Sequence, residues 1–153
     1  MSANSSASGI EDAVAYRIHR TNRLLLTHLK RFLDTNDTGL TPEKYFIVMK
    51  LHENGRLPQS DLVEVALDDG PNVSRLVERL VVAGLIERTQ DPADRRARLL
   101  ELTEAGTGLA SRITASIQDE RVAVFGGIPD EDLAMFTSVL ERLNSNVMPV
   151  LTV

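Results

Sequence analysis

The residues of this chain best suited to chemistry are arginines, and they fall in two groups. Asn72, Ser74, Arg75 and Arg79 lie close together, with Asn72, Arg75 and Arg79 separated by three and four residues. On a helix that spacing puts them on one face. Arg95, Arg96 and Arg98 follow within the turn Asp91-Pro-Ala-Asp-Arg-Arg96 and just beyond it. A guanidinium forks onto phosphate oxygens, and at a protruding tip it enters a narrow minor groove. Asp94 stands immediately before this second group. It suits a structural part, accepting backbone N–H groups in the turn or steadying a neighbouring guanidinium. Each group alone also fits a plain account, an amphipathic surface helix or a solvated turn. Their order along the chain, helix then arginine-tipped turn, is what points to a duplex held at two places.

Other chemistries lack their residues. His19, His28 and His52 have no metal-binding spacing on a shared helix, so no metal site is expected from them. The chain has no cysteine, which excludes disulfides and thiolate chemistry. Gly106-Thr-Gly108 and Gly126-Gly127 lack the strand context of a phosphate-cradling loop and read as helix-start and helix-link residues. Nothing assembles a nucleophile triad, so no catalytic residues, enzyme activity or cofactor are expected.

The elements that must position the arginines can be read from periodicity. Val73, Leu76, Val77 and Leu80 recur at i, i+3, i+4 and i+7 and form the packing face of a helix of about fourteen residues, opposite the arginines. Pro71 suits the first turn, Asp69 can cap before it, and Gly84 stands where a left-handed terminating residue is wanted. Leu85 to Gln90 and Ala97 to Leu102 read as two strands joined by a loop containing Pro92, with Arg95 and Arg96 at its tip. A two-stranded ribbon is marginal by itself, so it must lean on its helices.

The two ends of the chain carry further stripes. Val14, Ile18, Leu25, Leu29 and Phe32 form one in a helix of roughly 10–34, and Leu133, Phe136, Leu140, Leu143 and Val147 form another after Pro129-Asp-Glu-Asp132. Leu109, Ile113 and Ile117 mark a third helix, capped by Thr103. These helices hold more apolar surface than one small domain can cover. A second copy is the economical partner, giving an isologous homodimer; packing within one chain is the alternative.

The 153 residues, 42% hydrophobic and 25% charged, suffice for one core, and no apolar run reaches the length of a membrane span. The first nine residues lack a signal peptide's cationic start and apolar core and are expected to be a disordered tail of a cytoplasmic protein. The formal net charge of −5 is unlike a general nucleic-acid binder. Its distribution matters more: from Arg75 to Arg98 six arginines face four carboxylates, and much of the acidity lies at Asp119, Glu120, Asp130, Glu131 and Asp132.

The ordered motifs resemble the MarR family of winged-helix transcription regulators. Gly39-Leu-Thr-Pro-Glu43 is similar to the start of that family's second helix, Asn72-Val-Ser-Arg-Leu-Val-Glu-Arg-Leu80 to its recognition helix and Gly84-Leu-Ile-Glu-Arg88 to its first wing strand. Asp91-Pro-Ala-Asp-Arg-Arg96 is similar to its wing turn, and Leu102-Thr-Glu-Ala-Gly106 to the passage into its dimerisation helices. The resemblance implies a mainly α fold with a small β-hairpin wing, a winged helix-turn-helix over 37–103 flanked by dimerisation helices at 10–36 and 104–153. It implies that Arg96 enters the minor groove, Arg95 is its phosphate-side neighbour, Asp94 steadies the wing and Arg75 reads the major groove. The implied function is a homodimeric, sequence-specific, double-stranded-DNA-binding repressor tuned by a small-molecule effector lodged between the two lobes. Tyr45, Phe46 and Met49 could line such a cleft, although such side chains are more often core.

Two departures qualify the resemblance. Asp68 and Asp69, in Ala66-Leu-Asp-Asp-Gly70, bring carboxylates toward phosphate. Pro58 replaces the usual Thr cap before Gln59-Ser60. With the acidic balance, the first departure supports an alternative, a winged-helix module that has lost DNA affinity and binds a protein.

Overall fold

The computed structural model describes residues 13–62, 70–91, 94 and 98–151. Asp68, Asp69, Arg95 and Arg96, and the proposed tail, lie outside the described residues. The chain divides after Ala115 into two compact units.

In the first unit, α1 (Val14–Thr35) buries only its last turn, through Phe32 and Leu33. Of the helix anticipated from residue 10, the described part begins at Val14. Thr38 closes its carboxyl end, donating its hydroxyl to the Leu33 carbonyl at 3.0 Å and accepting from Leu40 N–H at 3.3 Å. Helix α2 (Pro42–Asn54) starts as its residues dictate, with the Thr41 side chain accepting from Lys44 N–H, Pro42 in the first turn, and Gly55 at φ 75° ending it. Ile47, Val48 and Leu51 turn into the core. Tyr45, Phe46 and Met49 do not: Tyr45 and Met49 are half-buried and Phe46 is 38% exposed, stacked edge-on against Tyr45. The expectation that they are core residues fails because the i, i+1, i+4 face of Ile47, Val48 and Leu51 already fills that position.

Strand β1 (Leu57–Pro58) had no counterpart in the sequence reading. Two residues, one of them proline, give no periodicity to detect, and Pro is tolerated there because the strand lies at a sheet edge. Pro58 therefore lies in a strand, and residues 60–62 begin a helical turn after it. Helix α3 (Gly70–Val82) leads to β2 (Ile86–Gln90) and β3 (Arg98–Leu102). The strands form an antiparallel sheet in the order β1-β3-β2, with Ile86 opposite Leu102, Gln90 opposite Arg98 and Leu57 opposite Leu100. Helix α4 (Glu104–Phe125) follows.

Leu33, Ile47, Leu51, Leu62, Val73, Val77, Leu80, Ile86 and Leu100 are essentially inaccessible, joined by Leu109, Ala110 and Ile113 of α4. Each of the Leu, Ile and Val side chains among them contributes on the order of 1.5–3 kcal/mol through burial. This core fixes the wing and α3 as one body.

In the second unit, the end of α4 joins α5 (Asp130–Leu151) through Gly126-Gly127, with Gly127 at φ 82°. Asp130, Glu131 and Asp132 occupy the first turn of α5, where carboxylates complement the helix dipole. The anticipated apolar stripe is present but uncovered in the single chain: Phe136, Leu143 and Val147 are exposed, and Leu133 and Leu140 half-buried.

Candidate nucleic-acid interface

Helix α3 divides as its periodicity requires. Val73, Leu76, Val77 and Leu80 are buried, while Ser74, Arg75 and Arg79 are exposed and Asn72 half-buried. The expected packing face and free face are both present. The helix ends in a Schellman closure: Gly84 N–H donates to Val81 O at 2.9 Å and Leu85 N–H to Leu80 O at 3.0 Å. Gly84 takes φ 71°, which a residue with a Cβ adopts only under strain. The chain leaves α3 and turns immediately into β2.

Thr103 fastens this corner. Its hydroxyl donates to Gly84 O at 2.6 Å and accepts from Gly106 N–H at 3.0 Å, so one side chain ties the end of α3 to the start of α4. Its backbone N–H donates to Leu85 O at 3.1 Å. Gly106 is buried against that same Leu85 carbonyl, where a Cβ would collide with the oxygen. Thr103 and Gly106 are thus requirements of the corner, the first through its hydrogen bonds and the second through the space a Cβ would take.

Two ion pairs set the wing. Arg88 Nη2 on β2 meets Glu78 Oε2 on α3 at 2.8 Å. Arg56, just before β1, meets Glu101 on β3 at 2.6 Å. Glu101 lies directly opposite Glu87 across the β2–β3 pair, a like-charge arrangement that is unfavourable alone. The hydrogen bond and charge of Glu101, with a further contribution from Glu87, raise the Arg56 pKa above its ordinary value. Gln59 Nε2 also donates to Ser74 Oγ at 2.7 Å, linking the start of the preceding helical turn to the free face of α3.

The arginines therefore sort by commitment. Arg56 and Arg88 hold carboxylates, whereas Arg75, Arg79 and Arg98 have no ion-pair or hydrogen-bond partner among the described residues. Strand alternation puts Arg98 and Arg88 on the sheet face that carries Ile86 and Leu100, the face toward α3. Asp94 is exposed in the turn between the strands. Asn72, Ser74, Arg75 and Arg79 are thus together on one helix and Arg98 on the strand leading from the wing turn. Arg95 and Arg96, the predicted tip, lie outside the described residues. The sequence reading missed Gln59, Glu78 and Arg88 as structural partners of this surface. For Glu78 and Arg88 the signal was available, opposite charges on neighbouring elements, but only the folded arrangement shows that they meet. Among the described residues no group of histidines and carboxylates is arranged to hold a metal.

A helix with a polar free face, closed by a tight turn onto an antiparallel hairpin, defines a winged helix-turn-helix protein. Residues 40–97 match the family model described as MarR family, so over that segment the chain is similar to that family. Solved structures extend the likeness over nearly the whole chain. A MarR family transcriptional regulator from Silicibacter pomeroyi DSS is 24% identical, with a TM-score of 0.79 over 94% of this chain and 95% of that one. CouR from Rhodococcus jostii RHA1, bound to p-coumaroyl-CoA, is 26% identical, with a TM-score of 0.80 over 90% and 95%. A mutant MarR from E. coli complexed with operator DNA is 20% identical, with a TM-score of 0.76 over 89% and 99%.

Proposed function

We propose that the protein is a homodimeric, sequence-specific DNA-binding repressor whose release from DNA is governed by a small organic effector. The observation that carries this reading is the sorting of the arginines. Arg75 and Arg79 on α3 and Arg98 on β3 are exposed and uncommitted among the described residues, while their neighbours Arg56 and Arg88 are consumed by carboxylates. In a chain with a net charge of −5, cations on α3 and at the start of β3 that are left to solvent suit an anionic partner. Asn72, Ser74, Arg75 and Arg79 are assigned to the major groove, and Arg95, Arg96 and Arg98 to the wing's contacts with the minor groove and phosphates, with Asp94 steadying the turn.

The dimer is supported by uncovered apolar side chains on both terminal helices: Val14 and Leu24 on α1, and Met135, Phe136 and Val147 on α5. A second copy buries them by two-fold symmetry. The effector is supported by α2, which leaves Tyr45, Phe46 and Met49 partly accessible, and by the p-coumaroyl-CoA bound to CouR. An aromatic acid or its thioester is the class proposed. A mobility-shift titration with genomic fragments tests the assignment. Retardation that is reversed by such a compound is the expected result, and no retardation at low salt would favour the protein-binding alternative.

A further inference from the structure

Glu78 is the only carboxylate in α3, and it stands on the helix that is assigned to the major groove. It follows Ser74 by four residues and Arg75 by three, spacings at which helix side chains are neighbours. An unrestrained Glu78 has two unfavourable options for a DNA-binding surface. It can fold back onto Arg75 and consume the guanidinium, or it can remain a bare anion near phosphate. Neither occurs. Its Oε2 is 2.8 Å from Arg88 Nη2, and Arg75 has no partner among the described residues.

We infer that Arg88 is a positioning residue of the DNA interface, holding Glu78 so that its charge is neutralised and Arg75 stays free for the duplex. The inference rests on the DNA-binding reading. Arg88 suits this part because it belongs to a different element: β2 is fixed by its ladder to β3, with Arg88 opposite Leu100, and is joined to α3 by the Gly84 closure. Its guanidinium is therefore presented to Glu78 by rigid structure. The competing Arg75–Glu78 pair has the cation amino-terminal to the anion, the weaker orientation on a helix. Both partners are partly exposed, with side-chain accessibilities of 35% for Arg88 and 59% for Glu78. Solvent screening thus limits the effect to several-fold in affinity.

The test is a cycle of Arg88→Met, Glu78→Gln and the double variant. Affinity is measured on a duplex selected by the wild-type protein from a random-sequence pool, with salt dependence and melting temperature for each variant. The Arg75 Nε–H resonance is followed by NMR without DNA. Arg88→Met is expected to weaken binding about three- to ten-fold and to shift the Arg75 signal as Glu78 turns onto it. Glu78→Gln is expected to tighten binding up to about three-fold, and the double variant to match it, with the wild-type salt slope and Arg75 signal. Equal losses from Arg88→Met in both backgrounds, with a salt slope lower by about 1, would show that Arg88 itself contacts phosphate and would overturn the inference. Affinity losses that merely track melting temperature would overturn it too. If the wild-type protein selects no duplex, the DNA-binding reading falls. The Arg75 resonance then still decides the pairing: no shift in Arg88→Met contradicts it.

Discussion

Thr103 shows how much of the corner between α3, β2 and α4 depends on one side chain. Its hydroxyl both donates to Gly84 O and accepts from Gly106 N–H, so Thr103→Val removes a helix cap and leaves two backbone groups without their partner. A loss of about 1–2 kcal/mol is expected in chemical denaturation, the upper range for a cap. Gly106→Ala should cost at least as much, because its Cβ meets a backbone carbonyl that belongs to the α3–β2 corner and cannot yield cheaply. Unchanged stability in either variant would show that the corner tolerates rearrangement. The two arginine sets should separate on DNA. Arg96→Ala is expected to weaken binding to many sequences and to lower the salt slope by about 1 for each phosphate that is no longer neutralised. At this scale the sequence revealed the Thr103 cap, a local pattern. It concealed the Gly84 bond and the seat of Gly106, because their partners lie some twenty residues away and meet only after the corner folds.

Helix α3 was the most legible element: a 3.6-residue period, a proline in the first turn and a glycine at the end all agree, and the burial pattern follows them. Gly84 at φ 71° has open space around it, so Gly84→Ala tests backbone conformation alone, and about 1 kcal/mol of destabilisation is expected in thermal melts. No loss would mean that α3 can end without a left-handed residue. The strands of the wing were also legible, to within a residue, through their flanking turn. Strand β1 was not. Its evidence is the pairing of Leu57 and Pro58 with β3, a long-range fact with no local signal. The same limit hid the ion pair of Arg56 with Glu101, which relieves the Glu87–Glu101 opposition. On α2, residue type suggested that Tyr45, Phe46 and Met49 belong to the core, and packing decided otherwise by choosing the Ile47, Val48 and Leu51 face.

For the whole molecule the uncovered apolar side chains of α1 and α5 are the dominant fact. Phe136, Leu143 and Val147 form a stripe that the single chain leaves in water, and a second copy is the partner proposed for it. Leu140→Glu places a charge in that seam, and Leu25→Glu does so on α1. Each is expected to yield monomers or aggregate, since an unpaired buried charge costs several kcal/mol. Mass measurement at micromolar concentration checks this; an unmodified protein that is already monomeric contradicts it. A monomeric variant should also lose operator binding, because a two-fold pair of recognition helices matches two half-sites and one half-site alone is weak.

Sequence reading by the free face of α3 is tested by comparing wild-type protein with Arg75→Ala on a selected duplex and on a scrambled one across a range of salt. Tight, salt-dependent binding of the selected duplex by the wild type is expected. Arg75→Ala is expected to lose roughly 1–3 kcal/mol at that site, with relaxed preference at one position in each half-site and a smaller change on the scrambled duplex. Equal losses on both duplexes would contradict sequence reading by Arg75. An absence of any binding at low salt, in the wild type and in Asp68→Asn with Asp69→Asn alike, would contradict DNA reading by α3 altogether.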